Sequence, residues 1–365
     1  MNPLNGKRLR DARELLGWAQ TTLAHELGAP QPTISQIEKS ASPLTDSLLA
    51  KATEATGLPR SFFEVAPTPH DIAVPMFRKN SKARASDEHR LVRLHREAAR
   101  AFEAVSCVSG YHPSRIPSDL HQHDTVEAAS IIRALAGIEP TAPIGNMVRV
   151  LERLGIGVIT TLDTNPTTTA TAHSGISTPT KLVDRPLVTT PVQYRGDAMR
   201  FALAHELAHH IWDQDRPTAA TSTRSPEERR AHDFAGTLLL PKAILERRVS
   251  ESLNLNGYLP IKAEYGISVS AIIMAAKNNQ IISSTRARSL HIQLSSRGWR
   301  SDEPVEVPNE TPLLFRQALE RVTDGDTHRA QELTGLPARF LTQWTNIELH
   351  TNVINLDAWR QRRSE

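Results

Sequence analysis

The chain has 365 residues, 39% hydrophobic and 23% charged, with a formal net charge of +3; that length supports two or three cores rather than one, and that composition excludes wholesale disorder. A single cysteine, Cys107, excludes an intramolecular disulfide and a cage of several thiolates, so any metal site must draw on His and carboxylates. The charge is too mild to decide alone for or against nucleic acid, and the sequence shows neither a signal-peptide core nor an apolar run of roughly 18 residues, which predicts a cytoplasmic protein with no membrane partner.

Residues 4–64 read as short helices separated by brief turns: KRLRDARELLG, QTTLAHEL, QPTISQIEK, LTDSLLAKATEAT and RSFFE. Their apolar residues recur at helical spacing, and Gly17, Gly28 and Gly57 stand where such segments stop. APTPH at 66–70 reads as a linker, since two prolines favour extended backbone. A helix is expected over about 86–106. Between Arg78 and Arg100 eight Lys or Arg face three acidic residues, which most simply makes a solvated helix face.

From about 139 the texture becomes α+β. APIGNMVRVLERLG reads as a helix, IGVIT and LVTTPV as short strands, and a long helix is expected over 197–212. After LLLP at 238–241 the chain turns helical again. ATEATGLPRSFF at 52–63 and AQELTGLPARFL at 330–341 match in register; a common helix–glycine–proline connection, which has few solutions, accounts for that match without a deeper relation.

RFALAHELAHHIW carries HExxH inside a helical segment. Two imidazoles four residues apart lie about 40° from each other around a helix and one turn apart, which suits two vertices of a zinc tetrahedron. His205 and His209 are the candidate ligands. Glu206 points toward the open position, where it can take a proton from zinc-bound water. A third ligand should lie downstream, and in EERRAHDFAGTLLLP either Glu228 or His232 meets the chemistry. Tyr194, His173 and His210 are candidates for a second donor to the oxyanion, with no choice among them.

The run from APIGNMVRVLERLGIGVI through MRFALAHELAHHIW to ERRAHDFAGTLLLP resembles the peptidase domain of the ImmA/IrrE family of metallo-endopeptidases. That resemblance implies His205, His209 and Glu228 as zinc ligands and Glu206 as general base. His232 stands where the family usually has Asn or Asp. Earlier in the chain, WAQTTLAHELGAPQPTISQIEKS resembles the Xre, lambda-repressor-like helix-turn-helix domain. On that likeness the helix starting near Gln31 enters the major groove, where Gln31, Thr33, Ser35 and Gln36 can reach base edges, and Gln20 can contact a phosphate. Pro30 and Pro32 stiffen that helix start. With seven Lys or Arg against seven Asp or Glu up to residue 65, tight binding to an operator needs a homodimer or help from the basic segment.

Together these readings predict a multidomain, mainly α protein: an all-α helix-turn-helix domain over 1–65, a linker and basic helical segment over 66–138, an α+β zincin-like metallopeptidase domain over 139–245, and a helical C-terminal region over 246–365. The implied function is a DNA-binding transcriptional regulator with a zinc-dependent endopeptidase that cuts a repressor or itself. The competing reading is a transcription factor whose zincin-like domain only senses metal or ligand. Retention of Glu206 weighs against it, because a structural zinc site needs no glutamate there.

Overall fold

The computed structural model of the protein describes residues 6–77, 85–164, 175–214, 216 and 225–350. It is mainly helical with one small sheet. Two compact units emerge: residues up to Pro67 join Arg100–Tyr111 and the chain from Phe315 onward, while Thr68–Ala99 join His112–Leu314.

The first unit opens with α1 (Lys7–Leu15), α2 (Gln20–Glu26), α3 (Gln31–Glu38), α4 (Asp46–Thr56) and the short α5 (Arg60–Phe63). Leu9, Leu23, Ile34, Leu49 and Phe62 are buried together from these five helices, as the helical spacing predicts. The Arg8 guanidinium lies 3.7 Å over the Phe62 ring and donates to the Phe62 carbonyl. Pro30 is the N-cap of α3 and Pro32 falls in its first turn, where the missing N–H groups have no intrahelical acceptor to lose, so the two prolines are compatible with the helix. Thr45 caps α4 by accepting from the Leu48 amide.

In the second unit the segment read as a linker carries a turn of helix, α6 (Pro69–Ile72), closed by a Thr68–Asp71 capping box, and then the strand β1 (Met76–Phe77). The long α7 (Ala85–Ser109) follows, its residues from Arg100 belonging to the first unit, then α8 (Thr125–Leu135) behind an Asp124 cap. Only Met147–Arg153 of the expected APIGNMVRVLERLG segment is helical, as α9, because the Asn146 side chain caps it by accepting from the Arg149 amide. Strands β2 (Gly157–Ile159), β3 (Ile176–Ser177) and β4 (Leu187–Thr189) complete a sheet of order β1-β3-β4-β2, in which β2 runs parallel to β4 and the other pairs are antiparallel.

Against this sheet and its flanking helices lies α10 (Gly196–Trp212), with nearly every residue buried; a helix apolar on most sides belongs in the middle of a core. Beside it runs α11 (Pro226–Leu239), against which α14 (Val269–Asn278) packs in turn, with α12 (Lys242–Arg248), α13 (Leu259–Tyr265) and α15 (Ser284–Ser296) gathered around α14. One contiguous apolar core extends from Leu120 to Leu294, so the unit reaches beyond 139–245 on both sides. Buried ion pairs bind the stretch after α15 to α10: Lys262 Nζ lies 2.7 Å from Asp197 and 2.6 Å from Glu303, and Arg200 lies 2.5 Å from Glu310. Such pairs are costly to break, since a lone buried charge remains.

The chain then returns to the first unit through α16 (Leu314–Thr323), α17 (Thr327–Thr334) and α18 (Ala338–Thr345). Phe315 packs edge-on against Phe102, ring centroids 5.5 Å apart. No single helix among the described residues is long and apolar enough to cross a membrane.

Candidate metal centre and DNA-reading helix

His205 and His209 project from one face of α10, and their Nε2 atoms are 3.2 Å apart. Glu228, in the first turn of α11, reaches across with one carboxylate oxygen 3.4 Å from His205 Nε2 and the other 3.6 Å from His209 Nε2. It is placed there by the Ser225 hydroxyl, which accepts from the Glu228 amide and starts the helix, with Pro226 at its first position. All three side chains are buried.

Ligands about 2.05 Å from a tetrahedral zinc stand about 3.3 Å from one another, and the three separations here scatter around that value. His209 Nδ1, 2.8 Å from the Asp213 carboxylate, donates a hydrogen bond to it, the arrangement that offers Nε2 to a metal. Asp213 is anchored in turn by Arg230 at 2.7 Å. Two imidazole Nε2 atoms facing each other and a buried Glu228 oxygen with no hydrogen-bond partner suit a cation between them, so the donor set fits zinc. Without one, hydrogen bonds to Asp213 and Glu228 overcome the downward push of burial and raise the His209 ring to about 10. Glu228 moves the opposite way: burial, which would raise it, is outweighed by the two histidines, and its carboxyl falls well below the usual range.

Glu206 belongs to the same cluster, its carboxylate and the two imidazoles offering atoms within 4.8 Å of one another. It is 2% exposed, and burial raises its pKa. The Ser177 hydroxyl on β3 donates to it at 2.6 Å. Just before that strand, a Cβ on Gly175 would stand 2.6 Å from Glu206 Cγ and 2.7 Å from its Oε1, so only glycine lets the backbone lie this close. The carboxylate is therefore gripped between α10 and β3 and held beside the imidazole pair.

Of the candidate oxyanion donors, Tyr194 has a buried hydroxyl with no hydrogen-bond partner, and burial followed by the charge of Glu206 raises its pKa. His210 is buried, its ring neutral because burial and then His209 lower its pKa to about 3. His173 lies outside the described residues. His232 is exposed on α11, its ring edge-on to His205 at 4.9 Å and 5.3 Å from Phe201. A cleft of about 880 Å³ runs between α10, α11 and α14 to the flank of His205, with Phe201, His232 and Met274 among its lining and Arg229 and Lys242 also on its walls. Ser177, Gly175 and Asp213 are the site residues that sequence reasoning missed; Asp213 alone carried a signal, four residues after His209 on the same helical face.

In the first unit, α3 buries Ile34 and Ile37 and leaves Gln31, Thr33 and Gln36 exposed, with Ser35 half-buried. These four side chains are the polar surface of that helix. Gln20, at the start of α2, donates to Glu38 at 2.9 Å and accepts from Gln31, while Arg13 pairs with Glu38 at 2.8 Å. Gln20 thus fixes the crossing of α2 on α3. Its amide nitrogen carries a second N–H beyond the one given to Glu38.

Residues 9–63 match the helix-turn-helix family model, and residues 164–277 match the M78 peptidase model, described as the IrrE N-terminal-like domain. No curated protein and no solved structure matches the chain.

Proposed function

We propose that this chain, which joins a helix-turn-helix domain to an IrrE-like peptidase domain, is a DNA-binding transcriptional regulator whose second unit is a zinc-dependent endopeptidase acting on a repressor or on the chain itself. The observation that carries the peptidase reading is the convergence of His205, His209 and Glu228 at tetrahedral spacing with Glu206 buried alongside. Zinc held by the first three would supply a Lewis acid for water and for the scissile carbonyl. Glu206 takes the proton from the attacking water and returns it to the leaving amine. Ser177 and Gly175 keep that carboxylate in one place. Asp213 holds His209 in the tautomer that offers Nε2, and the cleft beside His205 receives substrate side chains.

Purified protein should accordingly contain about one zinc per chain, since imidazole and carboxylate ligands at a tetrahedral site favour zinc. Elemental analysis alongside a cleavage assay checks this, and metal-free protein with undiminished cleavage would sink the reading.

For the first unit, Gln31, Thr33, Ser35 and Gln36 read base edges while Gln20 sets the angle of the reading helix. Gln31→Ala or Gln36→Ala should weaken a preferred DNA site by about 1 to 3 kcal/mol if that side chain makes a good base contact. Titration of a selected operator by fluorescence anisotropy measures this. Unchanged affinity in both variants would point to protein recognition instead.

A further inference from the structure

The repeated segments meet in the first unit. Each copy ends a helix on a left-handed glycine, Gly57 with φ 64° and ψ 23° after α4 and Gly335 with φ 67° and ψ 16° after α17. Before each glycine a threonine folds back in the same way: Thr56 Oγ1 donates to the Ala52 carbonyl at 2.6 Å and accepts from the Leu58 amide at 3.2 Å, and Thr334 makes the matching bonds to Ala330 and Leu336 at the same 2.6 Å and 3.2 Å. Pro59 and Pro337 then cap the next helix at nearly equal angles. A shared turn type explains such likeness within each copy. It does not explain how the copies touch.

Their contacts are reciprocal. Ser61 of the first copy sends its hydroxyl to the Gln331 carbonyl at 3.5 Å, and its own carbonyl stands 3.4 Å from where a Cβ on Gly335 would be. Arg339, the residue in register with Ser61, donates to the carbonyls of Thr56 and Gly57 at 3.2 and 3.3 Å. Position 61 thus meets the second copy's glycine corner while its counterpart meets the first copy's. Contact of i with j and of j with i is the signature of a two-fold, isologous interface, normally formed between two identical chains.

We propose that the α4–α5 corner is a self-complementary docking surface for a second helix-turn-helix domain, and that the chain's own copy at 327–345 fills it. The domain then works as a single reading head, and a further chain bearing the same Thr-Gly-Leu-Pro corner enters only by displacing that copy. On this proposal the match is more than a turn reused without consequence, and tight DNA binding does not come from pairing through this face. The inference does not depend on peptidase activity.

Sedimentation velocity on the full chain tests it. Wild-type protein should be monomeric up to about 100 μM, whereas Arg339→Glu, which sets a carboxylate against the helix-end carbonyls of α4, should self-associate at least about tenfold more tightly. Adding Ser61→Arg to that variant restores in the first copy the guanidinium that the second had supplied, and should tighten association again. Circular dichroism verifies folding, and Arg339→Ala carries the same comparison if the charge reversal unfolds the domain. A dimer cross-linked through Ser61→Cys in a Cys107→Ser background with Arg339 intact, or folded Arg339 variants that stay monomeric, would overturn the proposal.

Discussion

Glu206→Gln should keep its metal and lose at least about two orders of magnitude in peptide cleavage, close to 2.7 kcal/mol of barrier. The amide matches the carboxylate in shape, and its oxygen can still accept from the Ser177 hydroxyl. A side chain at position 175 would collide with this carboxylate, so the glycine leaves it room where it stands. What the change removes is the ability to take a proton. Cleavage of a fluorogenic peptide beside zinc content measured on the same preparation separates loss of the base from loss of the metal. Cleavage at the wild-type rate would remove Glu206 from the role proposed for it.

Glu228→Ala should strip the centre of most of its zinc affinity, whereas His232→Ala should cost about 10- to 100-fold at most, the scale of a group that only orients a ligand. Chemistry permits either side chain, since zinc accepts imidazole and carboxylate at similar lengths. Geometry distinguishes them. Glu228 is buried and presents its oxygens to both imidazoles at 3.4 and 3.6 Å, with a carboxyl that stays ionised. His232 is exposed and meets His205 ring to ring. Competition with a chelating dye ranks the two variants, and a Glu228 variant that binds zinc normally while the His232 variant does not would reverse the assignment.

What could be read from residues alone followed periodicity. The helices of the first unit, the HExxH helix and the helix bearing Glu228 announce themselves because a repeat near 3.6 persists over several turns. A two-residue strand has no period to detect, so β3 went unseen, and Ser177 and Gly175 with it. Met76 and Phe77 were hidden the same way inside a segment whose prolines suggest only a linker. Asn146 shortens its helix through a cap that apolar periodicity does not register. Matched segments in sequence do not say that the copies will touch, because contact across such a separation is a property of the closed chain.

That separation has a consequence in time. A nascent chain grows at about 5 to 20 residues per second, and the corner formed by α4 and α5 is made long before α17 and α18 exist. For tens of seconds on a ribosome the corner stands without its internal counterpart, and closing so long a loop is slow compared with forming local helices. Neighbouring chains on one message pass through that interval together. Their early corners can pair with each other before the late segment arrives, and α17 and α18, once made, must displace that partner, so such pairs last only while the chains are unfinished.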